Sequence, residues 1–249
     1  MYKKHIQLYS LKNEVYKDFP GTLRKVKEIG YDGVEFFGGY YGNMSANEMK
    51  GLLAEIGLEP ISAHIVSDKI AAQVDYAAEL GMKYIFDPMA NIKDHAASLE
   101  FAKKLNEAGE LCKRKGIVFG YHNHAHEFIK ADDGYLLETL ILNTNPDYVC
   151  FQLDVGWSAC AGVDEVALIA KYPGRFKSIH FKELGQVSGP EEDSKWKVAA
   201  GKGIINWEKV FNAAFTHGVE LVVVEREHDY QGDIYKCVKE DFDFLSNLL

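Results

Sequence analysis

Val118-Phe119-Gly120-Tyr121-His122-Asn123-His124-Ala125-His126-Glu127-Phe128 opens as a β-branched and aromatic run and closes on three histidines and a glutamate. The opening reads as a strand. Side chains alternate across a strand, so His122 and His124 are predicted to face one side and Asn123 the other. Ionisable side chains are seldom buried without partners. Two imidazoles leaving a strand on one face therefore point to a polar, metal-centred site to which other strands contribute.

Outward from that stretch, strand-like and helix-like segments alternate along the whole chain. The strands are predicted at His5–Tyr9, Gly33–Phe37, Pro60–Ile65, Tyr84–Asp87, Ile117–His124, Tyr148–Val155, Phe176–Lys182 and Val219–Glu225. Helical spacing of Phe19, Leu23, Val26 and Ile29, stopped by Gly30, marks the first helix. Ser45 followed by Glu48 has capping-box spacing and starts the next one. Further helices are predicted over Ile70–Leu80, His95–Lys115, Tyr135–Leu142, Val163–Tyr172, Trp207–His217 and Asp233–Leu248. Eight such units imply parallel pairing and closure into a single-domain α/β barrel, a (β/α)8 TIM barrel over residues 1–249. An open doubly wound sheet usually carries a glycine-rich turn after its first strand, and Ser10-Leu11-Lys12-Asn13 has no glycine.

Composition narrows the function. Hydrophobic residues make up 47% and charged residues 26%, which allows a sizeable core. The net charge of −9, from 28 basic and 37 acidic residues, disfavours nucleic acid and anionic membranes as partners. No apolar run approaches the length that spans a bilayer. No secretory stretch follows Lys3 and Lys4, and Cys112, Cys150, Cys160 and Cys237 form no Cys-x-x-Cys pair, so a reducing cytoplasm is the expected location.

The C-terminal strand ends form the active face of a parallel barrel. At those ends stand Glu35, His64, the histidine-rich stretch with Glu127, Asp154, His180 followed by Lys182, and Glu225. Glu35 serves equally well as an ion-pair or capping partner, His64 as a rim histidine and Lys182 as a surface lysine. Asp87 before Pro88 reads as a turn residue, and His126 as structural. Asp154, His180 and Glu225 each end a hydrophobic strand, which favours function. A set of carboxylates and imidazole suits one divalent cation, Mn²⁺, Mg²⁺, Co²⁺ or Zn²⁺, with positions left for substrate oxygens.

Tyr121–Phe128, Leu153-Asp154-Val155-Gly156-Trp157, Ile179-His180-Phe181-Lys182-Glu183, Val224-Glu225 and the glycine-flanked Gly201–Trp207, in this order, resemble the xylose isomerase-like TIM-barrel superfamily, and within it the sugar phosphate isomerase/epimerase group. The resemblance implies a metal site with Asp154, His180 and Glu225 as ligands. The strand-five ligand of the group is a glutamate, for which this chain offers Glu127, or His122 or His124 as substitutes. It also implies a small-molecule sugar or keto-sugar substrate, carbohydrate metabolism, and isomerisation or epimerisation through an enediolate. Glu225, His122 and His124 are the candidate proton carriers, and Glu35, His64, Lys182 and Trp157 the candidate substrate contacts. Phe36, Phe37, Tyr40 and Tyr41 are further candidates to pack against the sugar. Lyase or hydratase chemistry on a 3-keto-glycoside is the alternative, because the same enediolate can expel or accept a substituent. An endonuclease IV-like phosphodiesterase and a non-catalytic sugar-binding barrel are weaker alternatives. Gly201-Lys202-Gly203 is either a phosphate loop or a shaped turn. A homo-oligomer is compatible with such a barrel, and no interface is legible.

Overall fold

Eight strands alternate with helices and pair in parallel into a closed barrel in the computed structural model, which describes residues 2–131, 134–187, 198–227 and 232–249. The barrel strands are β1 (Lys4–Gln7), β2 (Gly33–Phe37), β3 (Glu59–His64), β4 (Tyr84–Asp87), β5 (Val118–His122), β6 (Val149–Asp154), β7 (Phe176–Phe181) and β8 (Leu221–Val224). Each pairs with its neighbour in sequence, and β8 closes on β1 with Lys4 opposite Val222. The outer helices are α1 (Phe19–Ile29), α2 (Ala46–Ile56), α3 (Ile70–Leu80), α4 (His95–Arg114), α5 (Leu136–Asn143), α6 (Glu165–Lys171), α7 (Trp207–Thr216) and α8 (Ile234–Leu248).

Local chemistry sets the boundaries. Asp18 caps α1 by accepting from Gly21 N at 2.9 Å, and Leu23 and Val26 are buried on its inner face. Each such side chain contributes roughly 2 kcal/mol on leaving water. The predicted capping box forms: Ser45 N donates to Glu48 Oε2 at 2.8 Å, and Gly57 ends α2 in the left-handed region at φ 81°.

Several segments depart from the sequence expectation, among them Lys12–Lys17, which forms a short helix. β1 stops at Gln7, whose side chain accepts from Tyr9 N at 3.1 Å and turns the chain into a 3-10 helix. β5 stops at His122 and not His124. Asn123 Oδ1 accepts from Asp154 N at 3.0 Å, and Glu127 Oε2 accepts from His124 N at 2.9 Å, so the ladder ends there. β6 gives way at Val155 to a short helix, Val155–Cys160, capped by Asp154 Oδ1 accepting from Trp157 N at 2.8 Å. Lys130–Ala131 pairs antiparallel with Gly134–Tyr135 before α5.

The barrel interior is layered. Tyr84, Phe86, Cys150, Leu221 and Val223 fill an apolar layer. Gly120 belongs to this layer by absence of a side chain, since a Cβ there would lie 2.7 Å from the Phe86 ring and 2.9 Å from Cys150 O. Above it, Gln7, Glu35, Ser62, Gln152, Ser178 and His180 form a fully buried polar layer. Period-two alternation then carries Asp154, Lys182 and Glu225 to the mouth.

At the opposite end Glu220 joins three strands. Its carboxylate accepts from Lys177 Nζ at 3.0 Å, Lys83 Nζ at 3.1 Å and Tyr84 Oη at 3.0 Å. Partial burial pushes its carboxyl up, but these donors outweigh burial and hold it at about 2, below the usual 4.5. A depressed folded-state value gives stability that is present above pH 4.5 and lost as pH falls towards 2. The side chain is 47% exposed, so screening limits the effect to about 1 kcal/mol or less. Glu220→Gln is expected to lower the urea midpoint at pH 7, with the difference shrinking in acid. A difference as large at about pH 2.5, inside the titration range, as at pH 7 would refute this.

Candidate active site

The polar layer converges on Glu35, which is fully buried. Its Oε1 accepts from Gln7 Nε2 at 2.8 Å and faces His180 Nε2 at 2.7 Å and His64 Nε2 at 3.1 Å. Its Oε2 accepts from Ser62 Oγ at 2.7 Å and Gln152 Nε2 at 3.0 Å. Burial would raise the Glu35 carboxyl, but His64 and His180 outweigh it and hold the group well below the carboxylate range. Glu35 is thus an ionised brace beneath the site. It has no surface to offer a substrate, and of the roles the sequence allowed it takes that of an ion-pair partner, because the β2 alternation points it at the barrel axis.

His180 stands above this brace, also fully buried, with Nδ1 2.9 Å from Glu225 Oε2 and 3.8 Å from Asp154 Oδ2. Burial alone would lower the His180 imidazole, but Glu35 and Glu225 raise it to about 10. His122 stays neutral, lowered by burial and by its histidine neighbours, with its Nε2 4.0 Å from Asp154 Oδ2. One ligand atom from each of His122, Asp154, His180 and Glu225 lies within 4.8 Å of the others. Burial raises the Asp154 carboxyl to about 6 against the pull of Lys182, whose Nζ its buried Oδ2 faces.

These observations fit a divalent cation. Ligands 2.0–2.2 Å from a common ion lie roughly 3–4 Å apart, and the four side chains need small shifts to share one. Lys182 Nζ faces the same carboxylates, at 3.0 Å from Asp154 Oδ2, 2.8 Å from Glu225 Oε2 and 3.3 Å from Glu227 Oε2. Burial would lower the ammonium, but Asp154 and Glu225 hold it firmly protonated. It packs 5.2 Å above the Trp157 ring.

The structure does not bring Glu127 to this group. The chain curls into a 3-10 turn at His126–Phe128, and the buried carboxylate folds back to accept from Tyr121 Oη and His124 N, with His126 Nε2 3.4 Å away. Among the described residues the strand-five partner of Asp154, His180 and Glu225 is His122. Glu127 instead holds the backbone that carries His124.

A cavity of about 280 Å³ opens over the cluster, lined in part by Tyr9, His64, His122, His124, Glu225 and Glu227. His124 is half-buried, 5.5 Å from the Trp157 ring, and its Nδ1 accepts no hydrogen bond. Burial and Lys182 lower it to about 3, so it is a neutral imidazole. Of the aromatic candidates, Phe36 and Tyr41 are buried in the core, whereas Phe37 reaches the cavity. Sequence reasoning missed Gln152, Glu227 and Tyr9. The first two were visible as the in-phase neighbours, two residues before Asp154 and two after Glu225. Tyr9 was hidden because the helical turn at Leu8–Leu11 has no strong sequence mark.

The glycine-flanked loop proves to hold an internal anion. The Glu183 carboxylate accepts from Gly201 N at 2.9 Å, Leu184 N at 3.1 Å and Trp207 Nε1 at 2.9 Å. A Cβ on Gly203 would meet Leu184 O at 2.1 Å. These donors are committed to the chain's own carboxylate, and the loop is a shaped turn.

Residues 23–248 match the family described as xylose isomerase-like TIM barrel. The chain belongs to that family. Similar proteins in it are named as enzymes. The inosose dehydratase of Lactiplantibacillus plantarum is 24% identical over 88% of this chain and 77% of its own length. That of Lacticaseibacillus casei is 24% identical over 59% of this chain, and the match spans about half of the relative, 52%. A sugar phosphate isomerase/epimerase structure from Parabacteroides distasonis superposes with a TM-score of 0.84 at 27% identity, over 98% of this chain and 94% of the other. The family fold is shared at 13% identity and TM-score 0.76 by a probable 3-DHS dehydratase from Bacillus anthracis. No helix among the described residues is long and apolar enough to cross a membrane.

Removing the brace should be costly. Glu35→Ala strands a buried layer of donors and is expected to destabilise the barrel by roughly 3–5 kcal/mol. Urea unfolding would show this as a lower midpoint at unchanged slope. A loss under about 1 kcal/mol would mean that the layer re-pairs without it.

Proposed function

We propose that the protein is a divalent-metal-dependent enzyme that removes the proton beside the carbonyl of a sugar or keto-sugar, and that the proton removal leads to elimination of water. The observation that carries this reading is a neutral, half-buried His124 set beside the His122, Asp154, His180 and Glu225 cluster in one cavity. His122, Asp154, His180 and Glu225 would hold the ion. Two imidazoles with two carboxylates suit Mn²⁺, Co²⁺ or Zn²⁺ better than Mg²⁺. When bound, the cation supplies Lewis-acid stabilisation of negative charge on substrate oxygens.

The chain's own residues supply the proton traffic. His124 takes the proton from the carbon next to the carbonyl, and the C–H electrons become the double bond of an enediolate. The C–O bond on the adjoining carbon then breaks. The His124 imidazolium returns its proton to the departing hydroxyl, which leaves as water. Lys182 remains protonated and balances the carboxylates around the site. Tyr9 and Glu227 are placed to bind substrate hydroxyls.

Elimination is favoured over epimerisation by the inequality of the two glutamate and histidine faces. Epimerisation needs one group to take the proton and a comparable one on the opposite face to return it. Glu225 Oε2 is engaged by His180 Nδ1 at 2.9 Å and Lys182 Nζ at 2.8 Å and would also hold the ion, whereas His124 Nδ1 accepts no hydrogen bond, so only one of the two is open to exchange a proton with substrate. The names of the inosose dehydratases support the same choice. Isomerisation at a single base is the second reading, supported by the 27% identity to the Parabacteroides protein. The acidic net charge of −9 speaks against the phosphodiesterase reading.

Purified protein should contain close to stoichiometric transition metal, and chelation should abolish turnover of keto-sugars or keto-cyclitols. In deuterated water, elimination yields a product lighter by one water. Isomerisation yields a product of unchanged composition, labelled with deuterium at carbon. His124→Asn is expected to reduce kcat by about 10²–10⁴-fold with metal retained. Metal-independent turnover, or a His124→Asn variant of full activity, would sink the proposal.

A further inference from the structure

Gln152 is fully buried in β6 and makes four polar contacts, more than packing requires. Its Oε1 lies 2.8 Å from His64 Nε2 and 3.0 Å from His122 Nδ1. Its Nε2 donates to Glu35 Oε2 at 3.0 Å and Ser178 Oγ at 2.9 Å. The orientation of the amide is forced by its neighbours. An ionised carboxylate only accepts hydrogen bonds, so the nitrogen end must face Glu35. The flipped amide would set its oxygen against the Glu35 oxygen in a site without water access, and would aim N–H groups at both imidazoles.

With the amide so fixed, its oxygen can only accept. The proton of neutral His122 must therefore sit on Nδ1, and the Nε2 lone pair faces the Asp154 side of the cluster, 4.0 Å from Oδ2. This is the opposite of the default, because a histidine side chain in water favours the proton on Nε2. His64 is held by the same logic, its Nε2 lying between Gln152 Oε1 and Glu35 Oε1 at 2.8 and 3.1 Å.

We infer that Gln152 is a positioning residue that fixes His122 in the Nδ1–H tautomer and so makes its Nε2 available as a metal ligand. The inference rests on the metal-binding part of the proposed function and adds what makes His122 fit for it. A carboxylate at the strand-five position needs no tautomer control, whereas an imidazole does. Gln152 meets that need with a neutral group. A glutamate at 152 would place a second carboxylate against Glu35. A leucine would leave both imidazoles and Glu35 short of partners. The other partners of the His122 ring, from every element around it, are consistent with this role. The rings of His64, His124 and His180 lie 4.6, 5.2 and 4.6 Å from it, and its Nδ1 stands at hydrogen-bond distance from Gln152 Oε1.

The test is two-bond ¹H–¹⁵N correlation spectroscopy on metal-free protein labelled at histidine, with His122 assigned by the peaks lost in His122→Asn. The wild type is expected to show the Nδ1–H pattern for His122. Gln152→Met is expected to move the proton to Nε2 and to weaken Mn²⁺ and Zn²⁺ binding by roughly 10–100-fold in calorimetry. An Nε2–H pattern in the wild type would overturn the inference whatever the protein binds, and does not depend on the variant folding. Unchanged tautomer and unchanged affinity in a folded Gln152→Met protein would overturn it as well. An Nδ1–H pattern in a wild type that binds neither metal would uphold the role of Gln152 and defeat the proposed function.

Discussion

An ionised carboxylate at the axis of the barrel governs this molecule. Glu35 has no contact with solvent, and an isolated charge in such a place would cost many kcal/mol. Its charge persists because five side chains from β1, β3, β6 and β7 surround it. Those partners are not independent of the site above. His180 is gripped at Nε2 so that Nδ1 faces Glu225 and Asp154, and Gln152 turns from Glu35 to the imidazoles of His64 and His122. Compensation of one buried charge thereby orders three histidine rings, of which His64 and His122 line the cavity. Buried polar layers of this sort are brittle, since each partner left unpaired carries its own desolvation cost.

Charge also accounts for the upper tier. Asp154, Glu225 and Glu227 crowd one small volume, and Lys182 sits among them with its ammonium over the Trp157 ring. A divalent cation in the same cluster would share the carboxylates with this ammonium. The ligand set carries two carboxylates, where the group it resembles would add a third at strand five. A donor set with one less negative charge and one more imidazole is softer, and would disfavour Mg²⁺ by donor type and not by size.

The fold was legible because two periods dominate the chain. Alternation in strands such as Cys150-Phe151-Gln152-Leu153-Asp154 and the 3.6-residue spacing of Phe19, Leu23 and Val26 each predict one face, and the structure buries those faces. The candidate cluster was legible where it obeys the same phase, as at Asp154, His180 and Glu225, which the structure brings together. Legibility failed where hydrogen bonds from distant strands override the local pattern. Nothing near His124 in sequence reveals that Asp154 N will claim the Asn123 side chain and end β5 early. That early end turns Glu127 inward towards Tyr121 and leaves the strand-five place to His122. The role of Glu35 stayed open in the sequence for a related reason, since its depth below the mouth is set by barrel closure and not by its own strand.

The central claim is that His122, Asp154, His180 and Glu225 meet on one ion above the Glu35 brace. The most direct measurement is a crystal of the protein grown with Mn²⁺, with anomalous diffraction recorded at the metal edge. The account predicts a single strong peak within coordinating distance of all four side chains, with Glu127 left in its contacts to Tyr121 and His124. A peak held by Glu127, or no peak among these four at saturating metal, would contradict it.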